Sequence, residues 1–180
     1  SGLARSLFAD EMLYPRANVA RPISDFRENY RGTAASKEDV DQFDVKVDHN
    51  LSSSNRFFAR YSYQKTHRLL PATIPLVGDA GTTFGGGDGN IEAHSFAFND
   101  THTFSSNWLN EVRIGYSMIK FNMTSIGYGQ NYSEQVGIPG ANINEVSSAF
   151  SQIVFDQGGM RNMGGNGNQP LITNLGAFQL

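Results

Sequence analysis

The 180 residues contain no cysteine, so neither a disulfide framework nor a thiolate metal site is available. No window approaches the ~18 consecutive apolar residues that a membrane-spanning helix needs. Charge is scarce as well: Asp, Glu, Lys and Arg make up 17% of the chain, against roughly a quarter in ordinary soluble domains. A net charge of -3 and a pI near 5.7 give no reason to expect a nucleic-acid partner. His49, His67, His94 and His102 show no helical i, i+4 spacing and no HExxH motif, which removes the common zinc-hydrolase pattern. The chain opens Ser-Gly without a signal-peptide pattern, so it is expected to be a mature or trimmed product or a piece of a longer protein.

Glycine (19 residues), aromatics (12%), Asn and Ser are what the chain has in quantity. Mean hydropathy is only -0.38. Aromatic-rich, charge-poor and mildly polar composition fits β structure with long polar loops, a profile that transmembrane barrels share because their strands alternate apolar and polar residues.

The organising feature is a repeated hairpin. In DVKVDHNLSSSNRFFARYSY (44–63) two alternating runs flank a serine-rich turn, and HTFSSNWLNEVRIGY (102–116) repeats the pattern. His49 and His102 each stand two residues before a large apolar residue followed by Ser-Ser; Arg60 and Arg113 follow eleven residues after the histidines, and Tyr63 and Tyr116 fourteen after. In both hairpins His and Tyr fall on the apolar face and Arg on the polar one. The alternation gives about four to five strands at 41–51, 56–66, 92–104, 108–123 and 171–180. Each has roughly the ~9–11 residues with which a tilted strand crosses a bilayer. Unlike charges favour opposed positions, which predicts Asp48 across from Arg60 in a turn centred on Ser54.

Residues 1–40 read as irregular; 1–13 has a weak amphipathic pattern too short for a stable helix, and a loop or frayed end is expected. Two hairpins fill 41–123, a long loop runs from 124 to 170 with a short strand or helical turn at 149–155, and 171–180 opens the next strand. Short turns thus alternate with long connections at about 67–91 and 124–170. Such loops are uncommon in compact soluble domains, whereas outer-membrane barrels pair short periplasmic turns with long outer loops. The expected fold is all-β: an antiparallel up-and-down meander forming part of a transmembrane β-barrel. In it Asp44, Lys46, Asp48, Arg60, Glu111 and Arg113 line the lumen. Phe43, Val45, Val47, Tyr61, Tyr63, Val112, Ile114 and Tyr116 meet lipid or its aromatic girdle. Phe58 is an aromatic on the polar side. A soluble sandwich would alternate equally, with the apolar face inward. Four or five strands cannot close a membrane barrel, so a fragment of a larger wall is expected.

No stretch implies a cofactor, a metal site or catalysis. Gly85–Asn90 lacks the Gly-Lys-Ser/Thr of a phosphate loop and carries a single Asp, so a flexible outer loop is expected there. Asp44, Asp48 and Glu111 alternate with cations, which suits a charge-compensated wall better than an acid/base pair. His49 and His102 would form a two-histidine site only if their turns were neighbours; an interfacial position beside the turns accounts for them more simply.

QFDVKVDHNLSSSNRFFARYSY, HTFSSNWLNEVRIGY and VGIPG (136–140) together resemble the barrel of TonB-dependent outer-membrane receptors, in particular the Oar-like group, over about residues 40–140. The resemblance implies a barrel of about 22 strands, an N-terminal plug and, in the Oar-like group, a carboxypeptidase-regulatory-like domain ahead of it; none of these additional parts is visible here. It implies a non-enzymatic receptor in the outer membrane of a Gram-negative-type bacterium. Its partners would be outer-membrane lipid, the plug and a TonB-type energy-coupling protein acting through parts of the protein outside this chain, and an unknown ligand at the outer loops. A secreted or surface all-β adhesion domain without transport is the alternative.

Overall fold

A computed structural model describes residues 2–11, 13–22, 29–72, 74, 87–155, 162–165, 167 and 169–180. Five strands, β1 (Lys37–Asn50), β2 (Asn55–Leu70), β3 (Gly87–Ser105), β4 (Trp108–Ser125) and β5 (Leu171–Gln179), form one sheet. All neighbours are antiparallel and the order is that of the sequence, β1-β2-β3-β4-β5, as in an up-and-down meander. No described helix is long and apolar enough to cross a membrane.

All five expected strands are present, and four extend beyond their apolar stretch. β1 begins at Lys37 rather than 41, β2 continues to Leu70 rather than 66, β3 starts at Gly87 rather than 92, and β4 ends at Ser125 rather than 123. In these extensions the residues are largely polar on both faces, so hydrophobic alternation falls silent while backbone pairing continues. Side chains tie neighbouring strands there: Ser36 Oγ donates to the Leu69 carbonyl at 3.3 Å, and Thr124 Oγ1 to that of Asp88 at 3.4 Å. The expected loop at Gly85–Asn90 is corrected in its last four residues, where Gly87–Asn90 is strand; residues 85 and 86 lie outside the described residues. Gly87 is required by close approach, because a Cβ on it would collide with the Thr124 carbonyl. Backbone contact of this kind is a usual reason for glycine inside a strand.

The chain divides into two compact units. One holds the middle of the sheet: residues 39–67, 90–122 and 172–180. Its turns are tight. Ser52 N donates to the Asn55 carbonyl at 3.2 Å, Ser54 N to Ser52 Oγ, and β3 and β4 are joined through residues 106–107 alone. The two turns are linked, since Thr103 N donates to the Ser54 carbonyl at 2.8 Å and Asn55 Nδ2 to His102 Nδ1 at 2.8 Å.

The other unit comprises residues 1–38, 68–89 and 123–171 and has a small apolar core of its own. Leu7, Ile74, Phe150 and Met163 are buried together, with Leu13, Tyr14, Tyr132, Val136, Ile153 and Phe155 packed around them. Leu7 belongs to helix α1 (Gly2–Ala9), which corrects the expectation of a loop at the start of the chain. The helix is too short to stand alone, and burial of Leu7 against residues distant in sequence supplies what local propensity cannot. Within the long 126–170 connection lie helix α2 (Tyr132–Gln135) and a single antiparallel bridge between Ile153 and Met163, which is all that the described residues show of the short strand or helical turn expected at 149–155.

Candidate functional site

Alternation along the strands sorts the sheet's side chains into two sets. On the polar face Asp44 accepts hydrogen bonds from Arg60, with Nη2 at 2.8 Å, and from Ser62 Oγ. Asp48 meets Lys46 Nζ at 2.9 Å and Arg56 at 3.7 Å. Glu111 accepts from Asn99 Nδ2 at 2.6 Å and from Arg113 at 2.9 Å. Each carboxylate therefore has a cation beside it, and the arrangement is a balanced charged wall rather than a pair of carboxyls poised to exchange protons. Phe58, the aromatic on this face, lies under Lys46 Nζ at 5.2 Å from the ring centroid, a cation–π contact that gives it a partner among charges.

The expected opposition of Asp48 and Arg60 is not found. Arg60 pairs with Asp44 and Asp48 with Lys46 and Arg56. The turn closes through the Ser52–Asn55 hydrogen bond, earlier than one centred on Ser54. A guanidinium also reaches diagonal as well as directly opposite neighbours, so charge alone does not set the register.

The second face is aromatic and aliphatic. Phe43 packs against Tyr61 and Tyr63, with centroids 5.9 and 5.4 Å apart, and Tyr63 against His94 at 5.1 Å. Tyr61 Oη is hydrogen-bonded to His94 Nδ1 at 2.9 Å. His49 contacts Phe57, which contacts Phe98; near the second turn His102, Phe104 and Trp108 stack in series; Tyr116 packs on Phe178. Val45, Val47, Val112 and Ile114 are exposed on this face.

All six charged residues expected on one wall are thus in contact with partners on that wall. Phe43, Tyr61 and Tyr63 form one aromatic cluster, and Tyr116 belongs to another. His94 was not singled out from the sequence, although its even-numbered alternation with Phe96 and Phe98 places it on this face. His49 and His102 do not share a partner: the first stacks on Phe57, the second bonds Asn55. Among the described residues no group of three His, Asp or Glu side chains could hold a metal ion. At the turns an open depression of ≈ 500 Å³ is lined by Asn50, Ser52, Ser53, Ser54, Asn55, Arg56, Thr101 and Thr103. Its size suits a small ligand, but its lining is hydroxyl, amide and guanidinium, not the mostly apolar wall of a typical ligand cavity.

Within the 126–170 connection a polar cluster gathers around one buried amide side chain. Asn142, 8% exposed, accepts from Ser133 N (3.1 Å) and Glu134 N (3.2 Å) and donates to the carbonyls of Ser147 (2.8 Å) and Ala149 (3.0 Å). Ser147 Oγ in turn accepts from the amides of Ile143 and Asn144, and Asn144 Oδ1 from Ser147 N. One amide side chain fills all of its principal bonding positions and knots the loop. Nothing in the sequence marked this Asn out from its many neighbours of the same type.

Comparison with known proteins adds one finding. A family model described as an outer membrane beta barrel domain matches residues 1–180. No curated protein and no solved structure matches the chain.

Proposed function

The chain belongs to the outer-membrane β-barrel domain family, and we propose that it forms part of the wall of a TonB-dependent, Oar-like receptor. It lies in the outer membrane of a Gram-negative bacterium; its work in this reading is to bind a ligand outside and admit it across that membrane, without catalysis. The observation that carries the reading is the asymmetry of the connections. Tight turns at 51–54 and 106–107 join one set of strand ends, and the long connections 71–86 and 126–170 leave from the other. In barrels of this kind the short turns face the periplasm and the long loops face outside.

The charged set, Asp44, Lys46, Asp48, Arg60, Glu111 and Arg113, then lines the lumen, where its compensated pairs surround a plug. Phe43, Val45, Val47, Tyr61, Tyr63, Val112, Ile114 and Tyr116 face lipid and its interfaces. Exchanging the faces would hold Lys46, Arg60 and Arg113 at membrane depth, at a cost of about 2–4 kcal/mol each near the midplane. β1 and β5 are the sheet's edges, and unpaired backbone in lipid costs several kcal/mol per group. Further strands therefore pair with them to close the wall. β3 has 19 residues, well beyond the ~9–11 needed for a crossing, so the wall continues outward past the bilayer. Energy for uptake comes from the inner membrane through a TonB-type protein acting on the plug.

The test is uptake of labelled nutrients by cells that have or lack the intact protein, before and after a protonophore. The receptor reading expects protein-dependent accumulation that collapses with the proton-motive force while surface binding persists. Accumulation unaffected by the protonophore would remove energised transport from the reading.

A further inference from the structure

We propose that the depression between the two hairpin turns is a binding site for a sugar that carries a single carboxylate. The turns that form it are fixed to each other, since Thr103 N donates to the Ser54 carbonyl and Asn55 Nδ2 to His102 Nδ1, each at 2.8 Å. The hollow of ≈ 500 Å³ therefore exists before any ligand arrives, and little ordering remains to be done on binding. Its volume falls within the range of small-molecule sites.

What distinguishes this place is unused bonding capacity. Arg60 and Arg113 each reach a carboxylate at hydrogen-bond distance, 2.8 and 2.9 Å. Arg56, which lines the hollow, comes no closer than 3.7 Å to Asp48, too far for a hydrogen bond. Among the described residues its guanidinium donates to nothing else, and the hydroxyls of Ser53 and Thr103 in the same lining have no partner either. Water satisfies such groups on any surface. Here they line one hollow, beside a planar guanidinium fork suited to grip both oxygens of a carboxylate, and the free hydroxyls suit a polyol, whose own hydroxyls both donate and accept. Charge sets the valence. Lys46 and Arg56 flank one carboxylate, Asp48, which leaves one positive charge. A monoanion is matched, whereas a phosphate dianion would meet Asp48 uncompensated. The site is built from turn residues alone, not from the long connections to which the receptor reading assigns its ligand, and so it goes beyond that reading.

The experiment is a ligand-observed NMR titration of the intact protein in lipid discs with glucuronate, glucose, acetate and glucose 6-phosphate. It is read as the difference between wild-type and variant protein, so that binding elsewhere cancels. Glucuronate is expected to bind best, with glucose and acetate weaker by about tenfold or more, because each lacks a group that the site is built to bond. Arg56→Gln should weaken glucuronate by about tenfold, as for an anchoring residue. Arg56→Lys keeps the charge without the fork and should weaken it by about threefold. Ser53→Ala/Thr103→Val should narrow the advantage of glucuronate over acetate. All three positions are exposed, so the variants leave the hairpins folded. Unchanged glucuronate affinity in Arg56→Gln, or acetate bound as tightly as glucuronate, overturns the site. Glucose 6-phosphate bound more tightly than glucuronate overturns the match to a single charge.

Discussion

Replacing Asn142 by alanine removes one side chain and leaves four backbone groups without their partner: the amides of Ser133 and Glu134 and the carbonyls of Ser147 and Ala149. They are not equivalent. Ser133 is fully buried and Ala149 is 1% exposed, so water does not replace what they lose, and each buried orphan costs about 1–3 kcal/mol. Glu134 is exposed and Ser147 half-buried, so solvent recovers most of the bonding there. The Ala149 carbonyl also keeps a long contact from Ser133 Oγ at 3.5 Å. The sum is about 2–4 kcal/mol, concentrated in one loop. Hydrogen exchange on the intact protein reads it directly: amides in 131–151 should exchange roughly thirtyfold to a thousandfold faster, while β1–β4 keep their protection. Unchanged exchange in 131–151, or loss of protection spread equally over the strands, would refute the knot as the local source of order.

Two further outcomes follow from the sheet. Val45→Arg places a cation on the face assigned to lipid and should lower folding stability in vesicles by about 2–4 kcal/mol in a urea titration. Its neighbour change Asp44→Asn on the opposite face should barely move the midpoint, and equal effects of the two would remove the assignment of faces. Gly87→Val brings a side chain against the Thr124 carbonyl and should loosen the pairing of the start of β3 with the end of β4 by about 1–3 kcal/mol. Exchange at 87–90 and 122–125 is the readout, and an unchanged rate would show that the backbones are not so close.

Hairpins were legible because one of their faces had to be apolar: Phe43, Val45 and Val47, then Phe57 and Tyr61, cannot be placed at period two without drawing a strand. The strand extensions were not, since Gln64, Thr66 and Arg68 offer no contrast between faces and Gly87–Asn90 has the composition of a loop. Register was beyond charge counting because Arg60 reaches more than one position on β1. Helix α1 depends on Leu7 meeting Phe150 and Met163, a contact between segments well over a hundred residues apart that no local pattern announces. Asn142 was invisible for a related reason. Its importance lies in the four groups around it, and a stretch rich in Asn, Ser and Gly gives no sign of which amide is enclosed. The six charged positions alternate with apolar ones and find partners among polar neighbours, though not always those expected, since a long side chain reaches more than one of them.

The central claim is that one face of this sheet meets lipid and the other an aqueous lumen, and the most direct measurement is a spin-label scan along β2. Single cysteines at 57–63 of the intact protein in bilayers, each carrying a nitroxide, are compared for collision with oxygen and with a water-soluble nickel chelate. Oxygen accessibility should peak at 57, 59, 61 and 63, and nickel accessibility at 58, 60 and 62, in a strict period of two. Accessibility without that period, or with oxygen favouring the even positions, would contradict a barrel wall oriented as described.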